Sequence, residues 1–279
     1  MKNRFAMNLS GRHWPSGARV LFSRAGRPRK NRARIREGLA SQAQIARVFL
    51  PAVLVLSTIS WAAPRAGDWI DVSAPIDPKT APVYPGNAPI KLDFVMHYEK
   101  GDKLALSSYS LGAHAGTHVD APLHFIKGGA PVDLVPLEHF VGSARVIDCS
   151  ADAKVIDAAE LNKHDWKGAR RILFRTRNSR NHWMTDPTFH EDFTYLAPDA
   201  AKLLADAGVE LVGIDYLSIE KFGSPDPRTH LALLGKGIPV VEGLQLADVT
   251  AGDYDLIVLP LRVSGHEAAP ARAILKHRP

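Results

Sequence analysis

The chain of 279 residues has a single cysteine, Cys149, so an intrachain disulfide is excluded and the cysteine count leaves the redox compartment open. Cys149 lies in an apolar run, and we expect a buried thiol. The chain also lacks an internal repeat, which excludes solenoid and propeller architectures. The hydrophobic run at residues 48–63 is shorter than the ~20 residues of a comfortable membrane span. The length of the chain allows one large domain or two small ones.

Acidic residues are nearly absent from residues 1–66, where 13 Lys and Arg residues accompany only Glu37. Residues 67–279 instead carry 22 basic and 28 acidic residues, so the formal charge of +6 belongs to the N-terminal part. No basic stripe with interleaved aromatic residues occurs in residues 67–279. We therefore expect a protein that does not bind nucleic acid.

Residues 1–66 are interpreted as a basic, disordered leader. Residues 1–47 are rich in Arg, Lys, Gly and Ser and show no hydrophobic period. The run at 48–63 then ends in small residues, which is typical of a secretory signal peptide. An uncleaved anchor or a buried segment is the alternative, and a downstream start codon would remove part of residues 1–40. A genuine signal peptide predicts an exported or periplasmic protein, and its absence a cytoplasmic one.

Residues 67–279 are interpreted as one α/β domain with a mixed sheet, because strands outnumber helices and only some are joined by helices. Pro198 and Gly208 delimit the clearest helix, since proline suits a first turn and glycine a C-terminal cap. The predicted strands are 69–73, 90–96, 104–111, 144–148, 171–175, 210–215, 238–242 and 255–262, with Trp69 expected in the core. The predicted helices are 157–164, 197–208 and 231–234.

Three histidines and an aspartate lie within eleven residues, namely His114, His118, Asp120 and His124. These are common ligands of a divalent metal ion that activates water. A lone histidine is usually structural, but this density of ligand types predicts a metal site. The residues themselves therefore indicate a metal-dependent hydrolase. His124 remains open either as a fourth ligand or as a general acid and base beside the metal.

The same stretch is not expected to be helical, because Gly116 and Pro122 interrupt it and no glutamate follows His114. This excludes the helical zinc-protease pattern His-Glu-x-x-His. In an extended segment, His118 and Asp120 point to the same side of the chain. A turn at Gly116, which has no side-chain bulk, would bring His114 to the same point.

The pattern His-x-Gly-Thr-His-x-Asp-x-Pro-x-His over residues 114–124 resembles the signature of the metal-dependent cyclase-like hydrolase family. Bacterial kynurenine formamidases, or arylformamidases, are its best-known members, and isatin hydrolases are relatives. The similarity covers about residues 69–275. Its further blocks are Gly213–Ser218, Asp226–Leu234, Gly237–Leu244, Leu259–Gly265 and Ala269–Ala273.

The resemblance implies a swivelling β/β/α fold and a homodimer or homotetramer. It implies one or two Zn²⁺ ions, with Mn²⁺ as the alternative, and His124 as the acid and base. Asp120 would bridge the two ions. The ligands that the resemblance implies are His114, His118, Asp120, His230 and Glu242. The roles of His230 and Glu242 rest on the resemblance alone.

The function implied is hydrolysis of C–N bonds other than peptide bonds, by an arylformamidase acting on N-formylkynurenine-type substrates. Tyr84, in the proline-rich loop at 75–89, would pack on the substrate ring. An isatin hydrolase, or another cyclic amide or lactone hydrolase, is the alternative. A secretory leader favours this alternative, because tryptophan catabolism is usually cytoplasmic. A non-catalytic protein that binds a metal or small ligand is the third reading.

Overall fold

The computed structural model describes residues 69–278, so the predicted leader lies outside the described residues. The strands within this range are β1 (Ile70–Asp71), β2 (Lys91–Met96), β3 (Leu106–Ser110), β4 (His118–Asp120), β5 (Val141–Asp148), β6 (Val155–Ile156), β7 (Arg171–Arg175), β8 (Tyr195–Leu196), β9 (Leu211–Ile214), β10 (Val240–Glu242), β11 (Gly252–Pro260) and β12 (Ala268–His277). The α-helices are α1 (Ala158–Leu161), α2 (Arg177–Arg180), α3 (Pro198–Asp206) and α4 (Arg228–Leu234). Short 3-10 helices lie at Tyr98–Lys100, Pro122–His124, Val132–Leu134, Leu137–His139 and Trp183–Thr185.

The main sheet is mixed and closes on itself. Its strand order is β1-β12-β11-β5-β7-β9-β10-β4, and β4 also pairs with β12, so seven strands form a ring and β1 adds to its outside edge. The pairs β5–β7, β7–β9 and β9–β10 are parallel, and the other pairs are antiparallel. The predicted α/β class with a mixed sheet is confirmed.

Alternate residues of the strands pack into two separate cores, as expected for a pleated sheet covered on both faces. Leu173 of β7 and Val241 of β10 belong to the core inside the ring, together with Val119 of β4. Phe174 and Val240, their neighbours in sequence, belong to a second core between the sheet and the helices. A side chain on the helix-facing side of the sheet can therefore meet side chains from a helix.

Each predicted strand and helix overlaps an observed one, and Cys149 is buried as expected. The prediction that Trp69 lies in the core is wrong, because this side chain is 43% exposed at the first described position. Strand β12 was not predicted, although it has ten residues. Among residues 69–278, none of the helices is long and apolar enough to span a membrane.

Strands β2 and β3 form a two-stranded hairpin apart from the main sheet. None of its strand residues is buried. Leu92 pairs with Tyr109 and Phe94 with Ser107, which places three large apolar side chains on one face. Residues Lys91, Asp93, Ser108 and Ser110 form the other face, which is polar. The hairpin thus has an apolar face that the described residues leave largely exposed.

Candidate metal centre

The pairing of β4 with β10 brings the first three ligand side chains together. Asp120 lies opposite Val240, and His118 lies opposite Glu242. Because residues opposite each other share a face, both carboxylates and the His118 imidazole point to the helix-facing side, where Val240 also packs. The prediction that His118 and Asp120 share one side of an extended segment is confirmed.

His114 and His230 reach the same point from outside the sheet. Gly116 turns the chain in the left-handed region, at φ 61°, and the Nδ1 atom of His114 lies 2.9 Å from Oδ1 of Asp120. His230 is the third residue of α4, which packs on the sheet beside β10. It is buried, and its Nε2 atom lies 3.2 Å from Oε1 of Glu242. The five residues named by the resemblance are thus adjacent in space.

The His118 side chain is held in a defined orientation. Its Nδ1–H donates to the carbonyl oxygen of Gly116 over 2.9 Å, which leaves the Nε2 lone pair free. Nε2 lies 3.3 Å from Glu242 Oε2 and 3.5 Å from Asp120 Oδ1, yet it is buried without a hydrogen-bond partner. An imidazole nitrogen fixed in this way is prepared to bind a metal ion.

Asp120 lies at the centre of the cluster. Both of its carboxylate oxygens are buried without a hydrogen bond, although imidazole nitrogens surround them. Its oxygens belong to two groups of potential ligands, one with His114 and His118 and one with His124 and His230, and each group lies within 4.8 Å. A carboxylate between two ligand groups has the position that a bridging ligand requires.

The imidazoles and carboxylates of the cluster favour one another's charged forms, which burial alone would disfavour. Burial alone would raise the pKa of Asp120, but the His114, His230 and His118 imidazoles outweigh it and hold that pKa well below its usual range. Burial alone would lower the pKa of His114, yet the Asp120 carboxylate raises it to about 9. Positive charge at this point is therefore favoured, as a divalent cation also requires.

A divalent metal ion fits these residues. Three buried atoms of this cluster, His118 Nε2 and both Asp120 oxygens, make no hydrogen bond with the described residues. Buried polar atoms are rarely left unpaired, so their grouping at one cluster fits a bound cation. Imidazole and carboxylate donors together suit Zn²⁺ or Mn²⁺.

The cluster forms the floor of an open cleft of about 430 Å³. One wall carries the aromatic rings of Tyr84, Phe125 and Phe222, and His124 lies beside the floor. Tyr84 packs edge-on against Phe222, with 5.9 Å between ring centroids. Phe125 stacks on the His230 ring at 4.5 Å. The cleft therefore combines a polar floor with aromatic side chains in its lining.

Phe125, Glu220 and Phe222 line the cleft and were not predicted from the sequence. Phe125 directly follows His124, and this position next to the motif at 114–124 could have indicated that Phe125 lies at the site. Glu220 and Phe222 follow the matched block Gly213–Ser218 by a few residues. His266 is exposed and does not line the cleft. Its neighbour Glu267 instead approaches His114 Nε2, at 3.5 Å.

A buried set of candidate imidazole and carboxylate ligands beneath an open cleft is the arrangement expected of a metal-dependent hydrolase. The model of the Cyclase family, described as "Putative cyclase", matches residues 70–221. A kynurenine formamidase of Salinibacter ruber (strain DSM 13855 / M31) is 39% identical over 211 residues, which cover 75% of this chain and 98% of that protein. The chain belongs to the Cyclase family.

One solved structure supports the same class, and a second shares the fold. A structure described as a predicted metal-dependent hydrolase from Bacillus stearothermophilus is 34% identical, with a TM-score of 0.65, and covers 76% of this chain and 98% of its own. Isatin hydrolase A from Ralstonia solanacearum shares the fold at a TM-score of 0.64 and 23% identity, over 75% of this chain and 92% of its own. The prediction of a metal-dependent hydrolase is confirmed.

Proposed function

We propose that the chain is an arylformamidase that hydrolyses the amide bond of N-formylkynurenine-type substrates. The observation that carries the proposal is the cleft, whose floor is the ligand cluster and whose wall is aromatic. A cleft of about 430 Å³ lies within the usual range for a small ligand, ~300–1,000 Å³. The relationship to a kynurenine formamidase at 39% identity supports the same substrate class.

We infer that His114, His118, Asp120, His230 and Glu242 hold one or two Zn²⁺ ions, with Mn²⁺ as the alternative. When bound, the metal supplies an activated water and polarises the substrate carbonyl group. Glu242 is held for this task by the backbone N–H of Ile219, which donates to its Oε1 atom over 2.6 Å. Asp120 lies between the two ligand groups and is the proposed bridge.

His124 is the proposed general acid and base. Burial lowers the pKa of His124 from its ordinary value, so the imidazole is neutral at pH 7 and can accept a proton at Nε2. That atom lies at the cleft, 3.9 Å from Asp120 Oδ2. The protonated imidazole then donates to the nitrogen of the departing aryl amine. Its closeness to Asp120 also suits a ligand role, and a His124→Ala variant distinguishes the two roles by its metal content.

Tyr84 is the proposed contact for the aromatic ring of the substrate. Its ring lines the cleft and is braced from behind by Phe189, with 5.1 Å between centroids. A braced ring offers a fixed flat surface on which an aryl group can pack. Phe125 and Phe222 extend this surface toward the ligand cluster.

Turnover assays separate this function from the alternatives. The purified chain, loaded with Zn²⁺ or with Mn²⁺, would be assayed with N-formylkynurenine and with isatin. We expect hydrolysis of N-formylkynurenine. Turnover of isatin alone would instead assign the chain as a cyclic amide hydrolase, an alternative that the predicted secretory leader favours. A metal-loaded chain that hydrolyses neither these compounds nor a panel of amides and lactones would be a binding protein.

The exposed hairpin supports a homodimer or homotetramer. Its apolar face carries Leu92, Phe94 and Tyr109, which are 39%, 53% and 70% exposed. A two-stranded hairpin on its own is marginally stable in water, so contact with a partner would stabilise this one. We propose that a second copy of the chain covers this face.

The location of the protein follows from the leader. If residues 48–63 are a genuine signal peptide, the protein is exported or periplasmic, and otherwise it is cytoplasmic. Sequencing the N-terminus of the protein from its native cell tests this proposal. A mature N-terminus near residues 64–67 would establish cleavage, whereas an intact leader would leave a cytoplasmic or anchored protein.

A further inference from the structure

The two ring nitrogens of His230 face different groups. Nε2 points into the ligand cluster, 3.2 Å from Glu242 Oε1 and 3.6 Å from Asp120 Oδ2. Nδ1 points away from it, is buried, and makes no hydrogen bond with the described residues. The carboxylate oxygen Oε2 of Glu220 lies 3.4 Å from this nitrogen.

Glu220 is itself firmly placed. Its Oε2 atom accepts the backbone N–H groups of Thr229, over 2.9 Å, and His230, over 3.2 Å, at the start of α4. Its own N–H donates to Ser218 Oγ over 3.1 Å, and its side chain is largely buried at the wall of the cleft. One carboxylate oxygen thus accepts from the backbone of His230 and lies beside the outer edge of its ring.

We propose that Glu220 is a positioning residue that keeps the His230 proton on Nδ1 and directs the Nε2 lone pair at the metal centre. The inference rests on the proposed metal-dependent function, since His230 is there a metal ligand. A histidine ligand commonly donates its second N–H to a carboxylate, which fixes the tautomer and the ring orientation. A small rotation would shorten the 3.4 Å separation to the ~2.7–2.9 Å of a charge-assisted hydrogen bond.

Glu220 does not act as a ligand in this arrangement. The imidazole ring of His230 lies between its carboxylate and the cluster, because Nδ1 and Nε2 lie on different edges of the ring. Its effect on the metal must therefore pass through His230. Removal of the charge should weaken metal binding only when His230 is present.

A double-mutant cycle on Zn²⁺ affinity tests this dependence. Zn²⁺ affinity would be measured by chelator competition for the wild-type chain, Glu220→Gln, His230→Ala and the double variant. We expect Glu220→Gln to weaken binding by about 10–100-fold, as is usual for partners of metal-binding histidines. In the His230→Ala background, the same substitution should change the affinity less than twofold. Glutamine retains a carbonyl oxygen for the backbone N–H groups of Thr229 and His230, so the fold should persist.

Asp215→Asn is the matched control, because Asp215 is also a buried, hydrogen-bonded carboxylate but lies outside the cleft. It should lower Tm without changing Zn²⁺ affinity. An unchanged affinity in Glu220→Gln, or an equal loss of affinity with and without His230, would overturn this inference and leave the proposed function standing. Equal losses in Asp215→Asn and Glu220→Gln would also overturn it, because the effect would then be one of general stability. A wild-type chain that binds no divalent metal would overturn the proposed function as well.

Discussion

His118 and Glu242 lie directly opposite each other on neighbouring antiparallel strands, with 3.3 Å between Nε2 and Oε2. Strand pairing therefore joins two proposed ligands that are far apart in sequence. A shift of the register by one residue would turn either side chain to the opposite face of the sheet. The pairing of β4 with β10 is accordingly the structural basis of the site.

His118→Ala is expected to abolish metal retention, because it removes a fixed Nε2 donor from the buried centre of the cluster. Metal content after gel filtration would be measured by elemental analysis. His266→Ala is the control, since His266 is exposed and does not line the cleft. Full metal content in His118→Ala would show that the cluster is not the metal site.

His124→Ala is expected to keep its metal and to lose turnover by about 10²–10⁴-fold, the usual contribution of a general acid and base. The measurement is kcat for the proposed substrate together with metal content. An active variant would remove His124 from the proton-transfer step. Loss of metal along with turnover would instead make His124 a ligand, consistent with its place near Asp120 and His230.

Gly243→Ala is expected to destabilise the fold by about 2–5 kcal/mol and to reduce metal binding. Gly243 has φ 71°, and an added Cβ would lie 2.3 Å from the carbonyl oxygen of Gly116. That clash would separate the turn that carries His114 from the end of β10. Gly208→Ala is the control, because Gly208 has φ 76° but open space around it. Chemical denaturation gives the free energy of unfolding of both variants. Equal losses of stability in Gly243→Ala and Gly208→Ala would show that backbone strain alone accounts for the effect.

Glu160 is expected to stabilise the fold in a pH-dependent way. Burial raises its pKa, but hydrogen bonds from Lys163 and Ser150 outweigh burial and lower the pKa to about 2, from an ordinary value of 4.5. A lowered folded-state pKa means that this stabilisation is present above about pH 4.5 and is lost as the pH falls toward 2. The Tm difference between the wild-type chain and Glu160→Gln should therefore shrink over that range. A difference independent of pH would contradict the assignment.

Phe94→Ser is expected to disrupt assembly, because it places a polar group at the centre of the apolar hairpin face. Molar mass from light scattering should fall to that of the monomer, and a Leu92→Ser variant should do the same. Leu134→Ser is the control, since Leu134 is comparably exposed, at 67%, but belongs to a different surface. A monomeric wild-type chain would contradict the proposal that a second copy covers the hairpin.

The sequence was sufficient for features that depend on neighbouring residues. The alternation around Val119 correctly placed His118 and Asp120 on one side, and Gly116 gave the turn that returns His114. Pro198 and Gly208 flank α3 as expected.

Features that depend on distant pairing were not predictable in this way. The closure of the sheet requires β12 to pair with β4, and no local pattern indicates which strand is the neighbour of another. Helix α4 begins at Arg228 rather than at 231, so that it includes His230, and a carboxylate from another loop, Glu220, holds its first turn. Spacing alone therefore gave no sign that His230 belongs to the site.

The ring closure also determines when the site can form during synthesis. Strand β4 has only three residues, and it is held on one side by β10 and on the other by β12, whose residue Ala268 pairs with Asp120. Both neighbours emerge from the ribosome long after His118 and Asp120. The metal-binding geometry is thus completed late in translation, and a nascent chain that ends before residue 268 contains the motif at 114–124 without the sheet that orders it.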